Sequence, residues 1–462
     1  MLHVVADRMR IMDELGRQAQ RSVHGAVSCW VANFMCVFVA EGAAAGVVLR
    51  ASCDKWIVSD FSRHLAGDGS VFGREEIWRG RRKVLSQIFG PKYVGQSLRV
   101  LERRSTALLR SLAGAGAGDE SVWPHFSAYT MRSALEMIFG ENLKAERDAS
   151  EQLLQAFGEY AHNLGARVCQ VWLYSDAVYR RLPVHARQRR CKGVVWRHLD
   201  NLIALTKQSM AKKRLEQQQG ASRATDDELD AEYKPLMELM IELTGGDNGY
   251  TDVELREEAV VLVLAASDTT ATAACFASVL LANHPREQHR VYEEIQEILG
   301  GSERPLTAED LPNLKYLDAV VKETLRLYPS KPFTMRKCTQ DIQLPSGLVL
   351  PKGCGVVLHF WGMHRDPHCW GADADQFRPE RFLSATPDQL AAFMPFGHGP
   401  RYCLGSRLAL SSLKLSLAQL ARRFRLAPAA GYGCSAAEPL RVSYDITLKH
   451  VHDFKVQLRA RP

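Results

Sequence analysis

The sequence predicts a mainly α protein with a smaller β-rich lobe, and three observations carry that reading. After residue 74, apolar side chains recur at three- and four-residue spacing over most of the chain. One run, AVVLVLAASDTTATAACFASVLLA from Ala259 to Ala282, is apolar on every side, the pattern of a helix buried through the body of a protein. Two β-rich segments stand around Asn33 in Ala26–Ala40, and alternation with Pro and Gly turns runs through DIQLPSGLVLPKGCGVVL, Asp341–Leu358. With 462 residues, 46% of them hydrophobic and 24% charged, the chain is that of a packed globular protein, which excludes disordered and collagen-like classes.

In chain order, Val4, Met9, Ile11, Met12 and Leu15 alternate with Asp7, Arg8, Arg10, Asp13 and Glu14, which predicts an amphipathic helix and not a signal peptide. The apolar stretch Ala26–Ala40 falls short of the roughly 20 residues a spanning helix needs, so it reads as two strands, one largely buried. Ile77, Trp78, Val84, Leu85 and Ile88 open one amphipathic helix, and Leu98, Leu101, Leu108, Leu109 and Leu112 another, which Gly114–Gly118 punctuates. The polar stretch Lys212–Lys234 reads as an exposed loop. A helix over about 251–283 follows, with Thr251 and Glu254 as a capping box and Pro285 just past its end, a rod of roughly 50 Å. The β-rich part covers about 26–50 and 336–360, and the helical body about 74–335 and 385–430, in a single domain spanning 1–462.

The 11 cysteines are odd in number and contain no CxxC pair, so neither a zinc ribbon nor a complete disulfide framework is indicated. A net charge of +7 is too small for a nucleic-acid arm and suits an acidic protein partner if it is clustered.

Two segments carry chemistry. Ser267, Asp268, Thr269 and Thr270 interrupt the apolar helix, and a charge there is expensive unless it is paired or used. Near the C-terminus stands Phe396-Gly397-His398-Gly399-Pro400-Arg401-Tyr402-Cys403-Leu404-Gly405, a tight glycine loop followed by Leu410, Leu413, Leu417 and Leu420 at helical spacing. Cys403 therefore precedes a helix N-terminus, where the dipole and free N–H groups favour thiolate.

This second segment resembles the haem-binding signature FxxGxRxCxG of the cytochrome P-450 family of haem-thiolate monooxygenases. Five fixed positions at background frequency give on the order of 10⁻⁷ per window, so coincidence is a poor account. Four weaker motifs stand in the family's order. Trp78-Arg79-Gly80-Arg81-Arg82 resembles WxxxR, Ala265–Thr270 the oxygen-side motif, Glu323-Thr324-Leu325-Arg326 the ExxR pair, and Pro379-Glu380-Arg381-Phe382 the PERF box.

The resemblance implies a fold that holds haem b, iron protoporphyrin IX, between a long central helix and a Cys-containing proximal loop. Cys403 is then the axial ligand of the iron, with Phe396 beside the sulfur and Gly397 and Gly405 shaping the loop. Trp78, Arg82, Arg336 and Arg401 are expected to neutralise the propionates. Glu323, Arg326 and Arg381 form a buried ion network fixing the loop, and Asp268 and Thr269 pass protons to oxygen. Leu264, Ala265, Lys331 and Phe333 are expected substrate contacts. For Lys331, snorkelling to solvent is preferred over pairing with a carboxylate. Arg74, Arg79, Arg81, Arg82, Lys83 and Lys92, with Arg401 and Arg407, suggest a proximal patch for an acidic electron donor.

The activity implied is insertion of one atom of O₂ into a lipophilic small molecule, by hydroxylation or epoxidation. Fatty acids, terpenoid or steroid hormones and xenobiotics are the substrate classes. An NADPH-dependent flavoprotein reductase supplies electrons, cytochrome b5 is a second candidate donor, and no nucleic acid is involved. The nearest likeness is to animal microsomal members, insect-like, of the clan containing fatty-acid ω-hydroxylases. That likeness places the protein on the cytoplasmic face of the endoplasmic reticulum membrane, with the membrane anchor and Pro-rich hinge missing from this chain. Ala265 stands where some of that clan carry a Glu that tethers haem, so a tethered haem is not expected. A haem-binding but catalytically impaired relative, and an isomerase or dehydratase variant, are the alternatives; Asp268 and Thr269 speak against the second.

Overall fold

A computed structural model describes residues 8–461 apart from 32–33, 115–117, 141, 143–148, 219–232, 247–248, 303, 432 and 434–438. The N-terminal amphipathic stretch is helix α1 (Arg8–Arg21), whose Asp13 accepts from the Trp361 indole at 2.9 Å. The next apolar stretch forms β1 (Ala26–Val31) and β2 (Phe34–Val39), an antiparallel hairpin with β2 largely buried. The expectation of β structure up to residue 50 is corrected. Gly42–Ala51 is helix α2, because its Ala-rich sequence favours helix and the Glu41 carboxylate caps Ala43 and Ala44 N–H.

Helix α3 (Glu75–Ile88) carries Trp78 on its buried face. Helix α4 (Pro183–Gln218) runs into the stretch read as a loop from Lys212, which is a second correction. Lys212, Lys213, Arg214, Leu215 and Glu216 are good helix formers, and Lys212 lies 3.8 Å from Glu216 one turn on. The centre of that stretch lies outside the described residues.

Helix α5 (Asp252–Asn283) is the spine of the molecule. Both halves of its capping box are present, Thr251 Oγ1 accepting from Glu254 N–H and Glu254 accepting from Thr251 N–H at 2.9 Å. Ala271, Phe276 and Leu281 are fully buried along it, so its apolarity serves the core. It is also the one described helix long and apolar enough to cross a membrane, with most of its apolar window inside the protein.

Helix α6 (Lys315–Leu327) leads to β3 (Thr334–Lys337), and β4 (Gly355–Leu358) completes a sheet of order β1-β2-β4-β3. In it β2 and β4 are parallel, with Val37 beside Val356, while β3 is antiparallel, with Arg336 beside Val356. Helix α7 (Ser406–Arg423) follows the Cys403 loop, as its leucine spacing predicts. The last forty residues are strand-rich beyond what sequence suggested. Phe424–Pro428 pairs with Lys455–Ala460, and β5 (Val442–Asp445) turns at Ile446 into β6 (Thr447–His450).

Candidate active site

The site is built on a buried ion network. On α6, Glu323 and Arg326 are fully buried, and the guanidinium donates to both carboxylate oxygens at 2.7 and 2.8 Å. The remaining Arg326 donors reach the carbonyls of His364, Ala374 and Gln376. Arg381 lies 3.6 Å from Glu323 and donates to the Trp370 and Asp373 carbonyls. Arg378 N–H donates to Glu323 at 2.9 Å. One helical turn is thereby bound to the chain at His364 and along Trp370 to Arg378, whose backbone groups would otherwise be buried without partners.

His364, which sequence reasoning did not single out as functional, extends the network to the cysteine loop. Its Nδ1–H donates to the Arg326 carbonyl at 3.2 Å, and its Nε2 accepts from Met394 N–H at 3.0 Å, two residues before Phe396. These partners require the neutral ring, and burial pushes its pKa down to about 3. The signal available was the HRDP stretch, His364 to Pro367, where nothing local reveals the partners.

Beyond Met394 the chain turns on Gly397 and Gly399, both at positive φ. A Cβ on Gly399 would stand 2.5 Å from the Leu49 carbonyl, so glycine is required there for conformation and for space. Cys403 N–H donates to the Phe396 carbonyl at 3.1 Å and closes the loop, and α7 begins with Gly405 as its N-cap. His398, treated as structural in the sequence reading, shares a hydrogen bond with Arg50 at 3.2 Å.

The Cys403 sulfur faces an internal cavity of about 370 Å³. The residue opens onto that space and is otherwise surrounded by protein atoms. Burial pushes the thiol up, against the Gly405 N–H and the charges of Arg82, Lys331 and Lys55. The N–H at the helix N-terminus favours thiolate, as expected, and burial works against it.

Five cations line the cavity, Lys55, Arg82, Lys331, Arg336 and Arg401, and the described residues give none of them a carboxylate partner. Arg401 donates to the carbonyls of Cys53, Ser70 and Gly73, and its guanidinium lies 4.2 Å from the Trp78 ring centre. Among the described residues Arg336 bonds only to Thr334 and the Met335 carbonyl, and its buried Nε finds no partner there. Burial holds Arg336 down at about 10 and, with repulsion from Arg336, Arg401 at about 10. Arg82 donates to the Tyr402 carbonyl at 2.8 Å. A wall of this kind, with a soft thiol among its cations, would fit a planar apolar group bearing two carboxylates, which is the chemistry of haem.

The α5 wall carries Leu264, Ala265, Asp268 and Thr269. Thr269 Oγ donates back to the Ala265 carbonyl at 2.7 Å. Asp268 is not free in the cavity. Lys449 on β6 donates to it at 2.7 Å, and so does Thr447 Oγ at 2.5 Å. Neither was visible as a site residue in sequence, since β6 lies about 180 residues away. Ile446, at positive φ in the turn between β5 and β6, lines the same cavity.

Three sequence expectations fail here. Phe333 does not line the cavity; it is a core ring packed 4.6 Å from Tyr444. Lys331 does not snorkel to solvent, because it lines the cavity and burial pushes its pKa down. Arg81 leaves the proposed patch, being buried and ion-paired to Glu257 at 2.7 Å and Glu258 at 3.2 Å.

The Cytochrome P450 family model matches residues 2–435. Cytochrome P450 4d2 of Drosophila melanogaster is 26% identical over 407 residues, covering 86% of this chain and 78% of the relative. Cytochrome P450 4V2 of Mus musculus is 28% identical over 410 residues, 86% and 76% of the two chains. Cytochrome P450 4F5 of Rattus norvegicus is 28% identical over 440 residues, 91% and 80%. With its mainly α architecture, its glycine-bounded cysteine loop and this match over nearly its whole length, the chain belongs to the cytochrome P450 family of haem-thiolate monooxygenases, enzymes that act on lipophilic substrates.

Proposed function

We propose that Cys403 is the axial ligand of the haem iron in this chain, and that α5 handles the protons of dioxygen reduction at Thr269. One observation carries this reading: the Cys403 sulfur and Thr269 face the same cavity, among cations that lack carboxylate partners. Held there by a thiolate, haem would supply the binding of dioxygen and the reductive cleavage of its O–O bond. Cys403 would hold the iron through its sulfur as thiolate, the form that the Gly405 N–H and the charges of Arg82, Lys331 and Lys55 favour. Phe396 and Leu404 line the cavity beside the sulfur and limit water there. Trp78, Arg336 and Arg401 hold the propionates, with Arg82 at the loop's edge. Thr269 carries the hydroxyl that relays a proton, and the neighbouring Asp268 carboxylate, held by Lys449 and Thr447, is the second proton-handling group.

Electrons come from an NADPH-dependent flavoprotein reductase, with cytochrome b5 as a second donor. The surface that supports this reading is cationic: Arg74, Arg79, Lys83, Lys92 and Arg407 are exposed on and beside α3, which Arg82 fastens to the cysteine loop. Attachment to the cytoplasmic face of the endoplasmic reticulum membrane is supported by exposed Trp30 and Trp172. Their segments meet where the Phe34 and Tyr174 rings lie 6.4 Å apart, and co-sedimentation with phospholipid vesicles tests the attachment. Fatty-acid-like molecules are the substrate class that the apolar walls suit best.

The reduced, carbon-monoxide-bound spectrum of the purified protein tests the ligand. A thiolate band that disappears in Cys403→Ser is expected, and a band typical of a nitrogen ligand in the unmodified protein overturns the reading. NADPH-dependent product with added reductase then reads turnover.

A further inference from the structure

Haem carries two propionates, and five cations line the cavity. Two carboxylates balance at most two of them. Asp268, the one carboxylate on that wall among the described residues, is already held by Lys449. Lys55, Arg336 and Arg401 form one group, each close enough to act on a neighbour's charge. Lys331 is also close enough to act on Lys55, but it is fixed differently. Ser330 Oγ donates to the Thr269 carbonyl at 2.7 Å, and the Ser330 carbonyl accepts from Leu448 N–H at 3.0 Å. The residue next to the lysine is thereby bound to the oxygen-side turn of α5 on one flank and to β6 on the other.

No hydrogen bond or ion pair of Lys331 to another described residue is found, and the charges that favour its ammonium are those of Asp268 and Cys403. A desolvated cation on an apolar wall is costly, and an anionic ligand removes that cost. The rest of the wall suits the tail of such a ligand, with Leu65, Met137, Leu164, Val261, Leu262 and Leu264 all facing the cavity.

We propose that Lys331 binds the anionic head group of an amphipathic organic acid beside Thr269, so that oxygen enters the chain within a few carbons of the head group and not at its far end. The proposal rests on the haem-thiolate reading given above. One C–H bond becomes C–OH; O₂ supplies that oxygen, its second atom leaves as water, and the reductase delivers two electrons that two protons accompany.

Calorimetric titration of the holoenzyme with dodecanoic acid and with its methyl ester tests the head-group site without turnover. The acid is expected to bind about tenfold more tightly or better, Lys331→Met to erase that preference, and Lys331→Arg to keep it. Mass spectrometry of the hydroxylated acid is expected to find the new oxygen on the second or third carbon. Equal binding of acid and ester by the unmodified protein overturns the proposal, as does hydroxylation at the methyl end. It also fails if Lys331→Met sheds haem while keeping the preference for the acid, since the lysine then serves the propionates. Should that variant not fold, the two measurements on the unmodified protein still decide. The carbon-monoxide band of the unmodified protein tests the haem-thiolate reading by itself, so the two failures are distinguishable.

Discussion

Glu323 is an anion with no access to water, and its two guanidinium neighbours are almost as deeply buried. Such a group is expensive to form and more expensive to break, because removing one member leaves the others charged and unpaired. Glu323→Ala is expected to cost about 3–5 kcal/mol of stability and to lower the haem content of the purified protein. A variant that keeps the wild-type thermal midpoint and full haem occupancy refutes the network's role in holding the cysteine loop. Much of this was legible, because the Glu323–Arg326 spacing of three residues puts both side chains on one face of a helix. The link through His364 was not, since it depends on where two distant carbonyls and one N–H come to lie.

At the scale of elements, the decisive contact is between α5 and the β5–β6 hairpin. Asp268 looked in sequence like a charge stranded in an apolar helix. The hairpin brings Lys449 and Thr447 to it, and its turn sends Ile446 into the cavity. The Asp268 bonds, a Lys449 bond to Thr272 Oγ1 at 3.3 Å and the Ser330 bridge tie that hairpin to α5. A double-mutant cycle between Lys449→Met and Asp268→Asn is expected to give a coupling of about 1–2 kcal/mol in thermal unfolding, since the pair is only partly exposed. A coupling near zero means that the ion pair does not fasten the turn. The hairpin escaped sequence reasoning because its strands are four residues each, too short for alternation to register.

For the whole molecule, acid and surface charge give two further outcomes. Burial lowers the pKa of His359 to about 4, of His364 to about 3 and of His450 to about 4. These rings are neutral when folded and take up protons near pH 6.5 when unfolded. Stability is therefore fully present above about pH 6.5 and is lost as pH falls toward 4, on the order of 2 kcal/mol per ring by pH 5. The thermal midpoint is expected to drop between pH 7.5 and pH 5; a flat profile contradicts the burial of all three. Separately, Arg79→Glu with Lys83→Glu is expected to slow reductase-supported turnover about tenfold at low salt, with the carbon-monoxide band intact. Unchanged turnover removes this face as the docking surface.

The sequence by itself determined what local spacing can determine. The central helix and its cap, the glycine turns before Cys403, the helix after it and the Glu323–Arg326 pair are all set within a few residues of chain. The resemblance to a haem-thiolate family followed from those same segments. Tertiary structure alone decided which neighbour faces what. Successive residues on a helix project about 100° apart, so Arg81 turns to Glu257 and Glu258 in the interior while adjacent Arg82 turns to the cysteine loop. The same holds where α6 leads into β3: Lys331 faces the cavity and Phe333 the core, a choice made by β5 and β6 packing from more than a hundred residues away.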